Sequence, residues 1–364
     1  MLACMEERLL QLDSEANVKC FGQEINPETY AIAKADMIIK GGKANDMKLG
    51  NTLSNDKFKD FTFDYIISNP PFGIDWKKEK AAVEKENELG DGGRFGVGLP
   101  KISDGQMLFT LNGIKKLKDT GRMAIIHNGS PLFSGDAGSG PSEIRRYIIE
   151  NDWLEAIVQL PTDLFYNTGI STYIWIISKN KPYHRQGKVQ LIDASKMFEK
   201  RRKSIGSKRN EITEECREMI VQAYGDFLNK EYTLGDKTVE SKVFENIDFG
   251  YNKIVIESPM VDEDGNIVYK NKKKVACTSK RDSENVPLDE DIDSYFKREV
   301  LPYNENAWID KKKTKVGYEI PFTRYFYKYI APEKADNIKV EILELEEELN
   351  GVLKELFEEV EVYV

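Results

Sequence analysis

The stretch Ser68-Asn69-Pro70-Pro71-Phe72-Gly73 directly follows the apolar segment Phe63-Asp64-Tyr65-Ile66-Ile67, which predicts a buried strand. A turn of this composition at the carboxyl end of a strand can handle an amino group attached to a flat ring. Such an amine is a poor nucleophile, because its lone pair is delocalised into the ring. The Asn69 side-chain oxygen and the Pro70 carbonyl can each accept one N–H from the amine. Together they draw its nitrogen toward a tetrahedral shape and aim the lone pair.

The prolines and the aromatic residue suit the same chemistry. Pro70 and Pro71 fix φ and bring no competing N–H donor. Phe72 offers a face on which a base swung out of its stack can lie. The alternative is an ordinary Pro-Pro turn that closes a strand. The strand before the turn and the Phe72-Gly73 pair after it favour the catalytic interpretation.

Strands and helices alternate along the first half of the chain. The patterns predict strands at 18–24, 63–68, 122–127, 153–160, 171–178 and 189–192, and helices at 1–12, 27–40, 106–118 and 142–150. This alternation is typical of βαβ units and predicts an α/β fold with a mostly parallel sheet. Ligands of such sheets bind at the carboxyl ends of the strands, where Glu24 and Asn69 both fall.

Composition narrows the class of protein. The 364 residues are 40% hydrophobic and 32% charged, as in a globular protein with one large or two medium domains. No apolar run reaches the length of a membrane span, the start does not resemble a signal peptide, and the four cysteines are widely spaced. With two histidines, a His-based metal site is not expected. We therefore expect a cytoplasmic protein with no membrane contact and no metal.

The formal net charge of −9 argues against a protein that grips DNA alone over a broad basic face. It suits a subunit whose partner supplies much of the DNA contact, and equally a protein that never touches nucleic acid. A local exception is the basic stretch at 196–209, with seven Lys and Arg and only Glu199 against them. That stretch either holds backbone phosphates or is a solvated face.

The alternation stops near residue 195. We expect three parts: a catalytic domain at 1–195, a mixed and mostly helical extension at 196–332, and a coiled-coil-like helical tail at 333–364. The tail carries apolar residues at alternating spacings of four and three, which form an a/d seam. The seam consists of Ile338, Ile342, Leu345, Leu349, Val352 and Leu356.

Four further blocks extend the signal from the Asn-Pro-Pro-Phe (NPPF) motif. They are Phe21–Pro27, Asn51–Leu53, Leu164–Ile170 and Ile320–Tyr327. From about Val18 to the tail, the chain resembles the modification (M) subunit of type I restriction–modification systems, which are adenine-N6 DNA methyltransferases. The resemblance implies an S-adenosylmethionine-dependent methyltransferase-like (Rossmann-like) sheet with a helical C-terminal region. It also implies methyl transfer to a flipped adenine in double-stranded DNA, and a specificity (S) and a restriction (R) subunit as partners.

The resemblance also assigns roles to residues. Asn69, Pro70, Pro71 and Phe72 correspond to the catalytic motif. Glu24 is expected to bind the ribose hydroxyls of S-adenosylmethionine; the residues alone leave a helix-start acid before Asn26-Pro27 as an equal alternative. Asn51 is expected beside the cofactor's adenine, at a position where many amino-methyltransferases carry an acid or an amide. A plain turn residue is the alternative there.

One expected block is not found upstream of Glu24. Seventeen residues precede Val18, and they contain no glycine, so the family's D-P-A-C-G-S-G turn for the methionine part of the cofactor has no counterpart. We therefore expect an N-terminally truncated form that binds the cofactor weakly or not at all. The glycine clusters at 90–98 and 135–140 are expected to be flexible loops, although the resemblance makes Arg94 and its loop candidate DNA contacts.

Two other functions stay open. The first alternative applies if the cofactor site is lost: the chain is then a non-catalytic remnant that acts as an interaction module. A weaker alternative is methylation of a glutamine amide in a protein. Enzymes of that kind typically carry Tyr at the fourth motif position, so Phe72 favours a nucleobase.

Overall fold

The computed structural model describes residues 1–329 and 332–361, with side chains described as far as residue 354. The chain divides into two compact units, Met1–Phe322 and Thr323–Val364. None of the described helices combines the length and the apolar character that crossing a bilayer requires.

The elements of the first half follow the predicted order. The helices are α1 Leu2–Leu12, α2 Pro27–Ile39, α3 Lys80–Asn87, α4 Gln106–Lys116, α5 Ser130–Phe133 and α6 Gly140–Glu150. The strands are β1 Gly22–Glu24, β2 Met47–Leu49, β3 Phe63–Ser68, β4 Leu117–His127, β5 Leu154–Gln159, β6 Tyr173–Ser178 and β7 Lys188–Asp193. The strand expected at 122–127 begins five residues earlier, and the one expected at 18–24 is limited to its last three residues. Helix α3 and strand β2 lie in polar sequence and were not predicted.

The second half is richer in strands than expected. Its strands are β8 Glu199–Ile205, β9 Lys208–Glu211, β10 Lys230–Leu234, β11 Lys237–Glu245, β12 Gly250–Glu257, β13 Tyr269–Lys270, β14 Lys273–Lys274, β15 Asp282–Pro287, β16 Trp308–Ile309 and β17 Lys315–Tyr318. The helices are α7 Glu214–Asp226, α8 Ile292–Tyr295, α9 Phe322–Phe326 and α10 Ala335–Glu361. The expectation of a mostly helical segment at 196–332 is therefore wrong. Its β-branched residues alternate with charged ones, as in β11, and this is the pattern of half-buried strands.

The main sheet has seven strands in the order β10-β11-β7-β5-β6-β4-β3. The pairings β3–β4 and β5–β7 are parallel, and the other four are antiparallel. Five strands (β3, β4, β5, β7 and β10) consequently run in one direction, while β6 and β11 run against them. The expected mostly parallel sheet is confirmed, and it extends beyond residue 195. The two boundaries between the three predicted parts remain predictions.

Strands β1 and β2 form a separate two-stranded parallel sheet. An aromatic cluster joins this small sheet to the start of β3: the ring of Phe21 lies 5.8 Å from that of Phe63 and 5.9 Å from that of Phe58, between centroids. In the described structure, β3 is the last strand of the main sheet on this side. The small sheet is thereby held next to the strand that carries the NPPF motif.

A third sheet, built on β12, docks through a buried arginine. Strand β12 pairs with β15, β16 and β17. On α6, the fully buried Arg145 donates from Nε to the Tyr318 carbonyl at 2.6 Å and from Nη1 to the Pro131 carbonyl at 3.0 Å. Ser142 Oγ accepts the Tyr318 N–H at 2.9 Å. Burial lowers the pKa of Arg145 to about 10, so the guanidinium stays charged at neutral pH.

We expect Arg145→Met to lower the free energy of unfolding by about 2–4 kcal/mol, because two buried carbonyls lose their donor. Urea unfolding followed by tryptophan fluorescence measures the loss. The neighbouring Arg146 is a matched control, since its ion pairs with Glu143 and Glu150 are partly exposed. Arg146→Met should cost less than about 1 kcal/mol. Equal losses for the two variants would contradict the role given to Arg145.

Candidate functional site

The NPPF turn lies at the carboxyl end of β3, as predicted. Asn69 and Pro71 are exposed, Pro70 is buried and Phe72 is half-buried. Gly73 has φ +63°, which lets the chain turn back after the motif. The contacts found among the described residues include none to the Asn69 side-chain amide, so its oxygen is available to a ligand.

Trp76 fixes the chain just after this turn. Its side chain is 3% exposed, and its Nε1 donates to the Lys101 carbonyl at 3.0 Å. The Trp76 N–H donates to the Ile102 carbonyl at 3.1 Å, and the Gly105 N–H donates to the Ile74 carbonyl at 3.2 Å. The motif therefore lies between β3 on one side and a segment fixed by a buried indole on the other, and its Asn69 is exposed.

Glu24 ends β1 and has one oxygen in use. Its Oε1 accepts the Asn26 N–H at 2.8 Å, and Asn26 Oδ1 in turn accepts the N–H groups of Glu28 and Thr29 at the start of α2. Both interpretations of Glu24 therefore find a basis in the geometry. The second carboxylate oxygen has no hydrogen-bond partner among the described residues, and the side chain is half-buried. That oxygen can accept a hydroxyl.

Asn51 is occupied by the protein at both ends of its side chain. Its Oδ1 accepts the N–H groups of Leu53 and Ser54 at 2.8 and 3.3 Å, as in an Asx turn. Its Nδ2 donates to Glu79 Oε1 at 2.7 Å. This is the geometry of the plain turn residue. A contact between the Asn51 amide and a ring requires the Glu79 hydrogen bond to be exchanged.

Arg94 holds the same turn from within. Its Nη1 and Nη2 donate to the carbonyls of Thr52 and Leu53 at 2.7 and 3.0 Å, and its Nε donates to Glu86 at 2.7 Å. The Arg94 side chain is 10% exposed. Partial burial acts to raise the pKa of Glu86, but the hydrogen bonds and charge of Arg94 outweigh it and lower that pKa. The expectation that Arg94 reaches DNA is wrong, because its donors serve the Asn51–Leu53 turn.

The two glycine clusters are closely packed, and the expectation of flexible loops is wrong for both. A Cβ on Gly96 would lie 2.0 Å from the Gly90 carbonyl oxygen, and one on Gly140 would lie 1.9 Å from that of Leu99. The first loop is also fastened by Asn87, whose Nδ2 donates to the Phe95 carbonyl at 2.6 Å. Glycine is required here for close backbone approach rather than for mobility.

A polar cluster at the carboxyl end of β4 lies one strand away from the NPPF turn. Gln106 Nε2 donates to Asp104 Oδ1 at 2.9 Å and to Asn128 Oδ1 at 3.0 Å, and its oxygen accepts the Asn128 N–H. His127 is fully buried, with Nε2 2.8 Å from Thr110 Oγ1. The sequence analysis missed this cluster. Its signal was the His127-Asn128 pair directly after an apolar strand.

Comparisons with known proteins identify the family of this chain. The family model described as N-6 DNA Methylase matches residues 1–260. The chain is 31% identical over 208 residues to the type I restriction enzyme MjaIX methylase subunit of Methanocaldococcus jannaschii, covering 57% of this chain and 36% of that protein. It is 30% identical over 261 residues to the MjaVIII methylase subunit of the same organism, covering 69% of this chain and 43% of that protein. The chain thus spans less than half the length of these relatives.

A solved structure confirms the expected α/β methyltransferase fold. The type I restriction–modification system methyltransferase subunit from Streptococcus thermophilus superposes with a TM-score of 0.52 at 27% identity. The similarity covers 64% of this chain and 46% of that one.

The buried histidine makes stability depend on pH. Burial lowers the pKa of His127 to about 3, against a partial opposing effect of Asp104. In the unfolded chain the pKa of the histidine is ~6.5, so between the two pKa values the unfolded state binds more protons than the folded state. The free energy of unfolding therefore decreases as the pH is lowered, by up to ~1.4 kcal/mol per pH unit. From about pH 7.5 to 5, the free energy of unfolding should drop by roughly 2 kcal/mol more in the natural protein than in His127→Gln.

Urea unfolding at the two pH values measures this difference, and His184→Gln is its control. His184 is exposed, so its replacement should leave the pH dependence of the natural protein in place. Identical pH dependence in the natural protein and His127→Gln would show that His127 is not the group responsible.

Proposed function

The chain belongs to the N-6 DNA methylase family, and on that premise we propose that it forms the catalytic part of a site-specific adenine-N6 DNA methyltransferase. We assign it to the modification subunit of a type I restriction–modification system. The main support for the proposal is the NPPF turn at the carboxyl end of β3. The buried Trp76 fixes the chain just after this turn, and the exposed Asn69 has a side-chain amide that is available to a ligand.

The proposed substrate is an adenine flipped out of double-stranded DNA. The Asn69 side-chain oxygen and the Pro70 carbonyl accept the two N–H groups of its amine, which directs the nitrogen lone pair outward. Phe72, which is half-buried, offers a stacking face. These residues act by positioning and electrostatics, with no covalent intermediate on the protein.

S-adenosylmethionine is the proposed cofactor, and it supplies an electrophilic methyl group. The second carboxylate oxygen of Glu24 suits its ribose hydroxyls, because the first is already used at the start of α2. We propose that the adenine of the cofactor binds beside the Asn51–Leu53 turn. Hydrogen bonds from Arg94 to two backbone carbonyls fix this turn. Asn51 remains a candidate contact through exchange with Glu79.

The proposed partners are double-stranded DNA, a specificity subunit that selects the sequence, and a restriction subunit that cuts. The relatives quoted above are named as methylase subunits of type I restriction enzymes, which supports this assignment. The non-catalytic alternative and the glutamine-methylating alternative predict no methyl transfer to adenine.

Asn69→Ala should reduce methyl transfer by about 10²–10³-fold, because the lost acceptor acts on charge that develops in the transition state. The measurement is transfer of a labelled methyl group from S-adenosylmethionine to duplex DNA, by the chain co-expressed with the polypeptides encoded beside it. Binding of S-adenosylmethionine by this co-expressed assembly, rather than by the chain alone, should be unchanged, which calorimetry checks. Phe72→Ala should cost about 1–3 kcal/mol, the value of one stacking contact.

Asn45→Ala is the control, since Asn45 is an exposed asparagine outside the site. Near-natural turnover of adenine DNA by Asn69→Ala would end the catalytic assignment of the turn. Methyl transfer to a protein glutamine instead of DNA would favour the third function.

The tail helix α10 is our candidate for contact with the specificity subunit. Five residues of the predicted seam (Ile338, Ile342, Leu345, Leu349 and Val352) are 43–64% exposed, while the side chain of Leu356 lies outside the described residues. An apolar seam on a charged helix is suited to a partner helix. Packing within the chain's own fold is the alternative.

The double variant Leu345→Asp with Leu349→Asp should abolish co-purification with the specificity subunit, since each buried unpaired aspartate costs several kcal/mol (~3 or more). The matched control replaces Val340 and Leu343 with aspartate; both are about half exposed and lie on the opposite side of the helix. If assembly persists, or if the chain itself unfolds, the seam is internal packing and the interface assignment is wrong.

A further inference from the structure

The basic stretch at 196–209 forms most of an antiparallel hairpin of β8 and β9, which is anchored along β9 and at its turn. Asn210 is 6% exposed and donates from Nδ2 to the Thr162 carbonyl at 2.9 Å. The Arg209 and Ser207 N–H groups donate to the carbonyls of Asp163 and Tyr166, each at 2.9 Å. The hairpin is thereby fixed to the loop that follows β5.

Three cations of β8 are exposed and unneutralised. Lys200, Arg202 and Lys203 point into solvent, and none of them forms an ion pair within the described part of the chain. The carboxylates of the hairpin are already used: Glu211 pairs with Arg201, and Glu199 pairs with Lys237. A purely solvated charged face has no need to leave its cations clustered in this way.

The net charge of the whole chain does not reflect this basic cluster, because most of the negative charge lies in the C-terminal tail. Residues 333–364 contain 11 acidic and 3 basic residues, a net charge of −8, so the remaining 332 residues account for only −1 of the total of −9. The body of the protein is therefore nearly neutral, and the argument from net charge against direct DNA contact does not apply to it.

The hairpin and the NPPF turn lie at the same edge of the main sheet. Strands β3, β4, β5 and β7 run in one direction, so their carboxyl ends share that edge. Asn69 follows β3, and the hairpin follows β7. The strand order places β7 four positions from β3, which is about 19 Å at ~4.8 Å per strand. A duplex rises ~3.4 Å per base pair, so this spacing is roughly half a helical turn.

We propose that the β8–β9 hairpin (Glu199–Glu211) is a second binding surface of the protein for double-stranded DNA, with Lys200, Arg202 and Lys203 contacting phosphates about half a turn from the base held at Asn69. The proposal rests on the proposed function. A two-stranded ribbon fits the major groove of a duplex, and phosphate contacts of this kind fix position without reading sequence.

The test replaces Lys200, Arg202 and Lys203 with glutamine and measures binding of a fluorescent duplex by anisotropy, without cofactor, between about 50 and 200 mM salt. Each lost phosphate contact should reduce the slope of log K against log salt by about 0.9, so the triple variant should lose up to ~2.7. Its affinity at the lowest salt should fall at least about tenfold.

The matched control replaces three exposed lysines of the β13–β14 hairpin with glutamine: Lys270, Lys272 and Lys273. It changes the net charge by the same amount as the first triple variant. Its slope should shift by less than about 0.9, the value of one contact. Equal losses in the two triple variants, no loss in the first, or no DNA binding by the unmodified chain would overturn the proposal. So would loss of co-purification with a specificity subunit at unchanged DNA affinity, since the hairpin would then contact protein.

A methyl-transfer assay on the natural protein separates this result from the proposed function, because phosphate contacts by the hairpin require no reacting amine. DNA binding that depends on the hairpin without any methyl transfer would therefore reject the catalytic assignment and leave the hairpin assignment standing.

Discussion

The candidate site and the basic hairpin depend on one constraint, which is that four strands of the main sheet (β3, β4, β5 and β7) run in the same direction. Parallel pairing of β3 with β4, and of β5 with β7, sends the chain out of the sheet at one side after each strand. The NPPF turn, the polar cluster at His127, the Tyr166 loop and the β8–β9 hairpin all follow these strands. Residues more than a hundred positions apart in sequence are therefore neighbours along a single edge.

Buried charge stabilises the backbone next to that edge. Arg94 spreads its donors over two backbone carbonyls and Glu86, while Lys116 pairs with Asp56 at 2.7 Å. Burying a guanidinium is costly unless its donors are satisfied, and a planar fork satisfies several acceptors at fixed angles. The consequence is a turn at Asn51–Leu53 whose shape is set both by its own Asx turn and by the donors of Arg94.

Local patterns predicted the first half of the fold well. The apolar segment located β3 to its bounds, although the strand is half-buried to exposed rather than buried. The NPPF motif identified the turn that follows. Long-range contacts were not accessible in the same way. Nothing local to Arg94 indicates that it reaches back to Thr52. Similarly, the sequence of the glycines at 90–98 does not show that Gly98 packs against Gly140. In the second half, interspersed charges masked the alternation of β11 and β12.

The net charge of the chain was a poor guide to DNA contact, because it too is not a local property. A sum over the chain treats the acidic tail and the rest as one body, whereas charges interact only within a Debye length of ~8–10 Å at moderate salt. What a phosphate meets is the local potential. The near-neutral charge of residues 1–332 leaves room for a basic hairpin at one edge, because residues 333–364 account for a net charge of −8 out of −9. An acidic isoelectric point is therefore compatible with direct DNA contact.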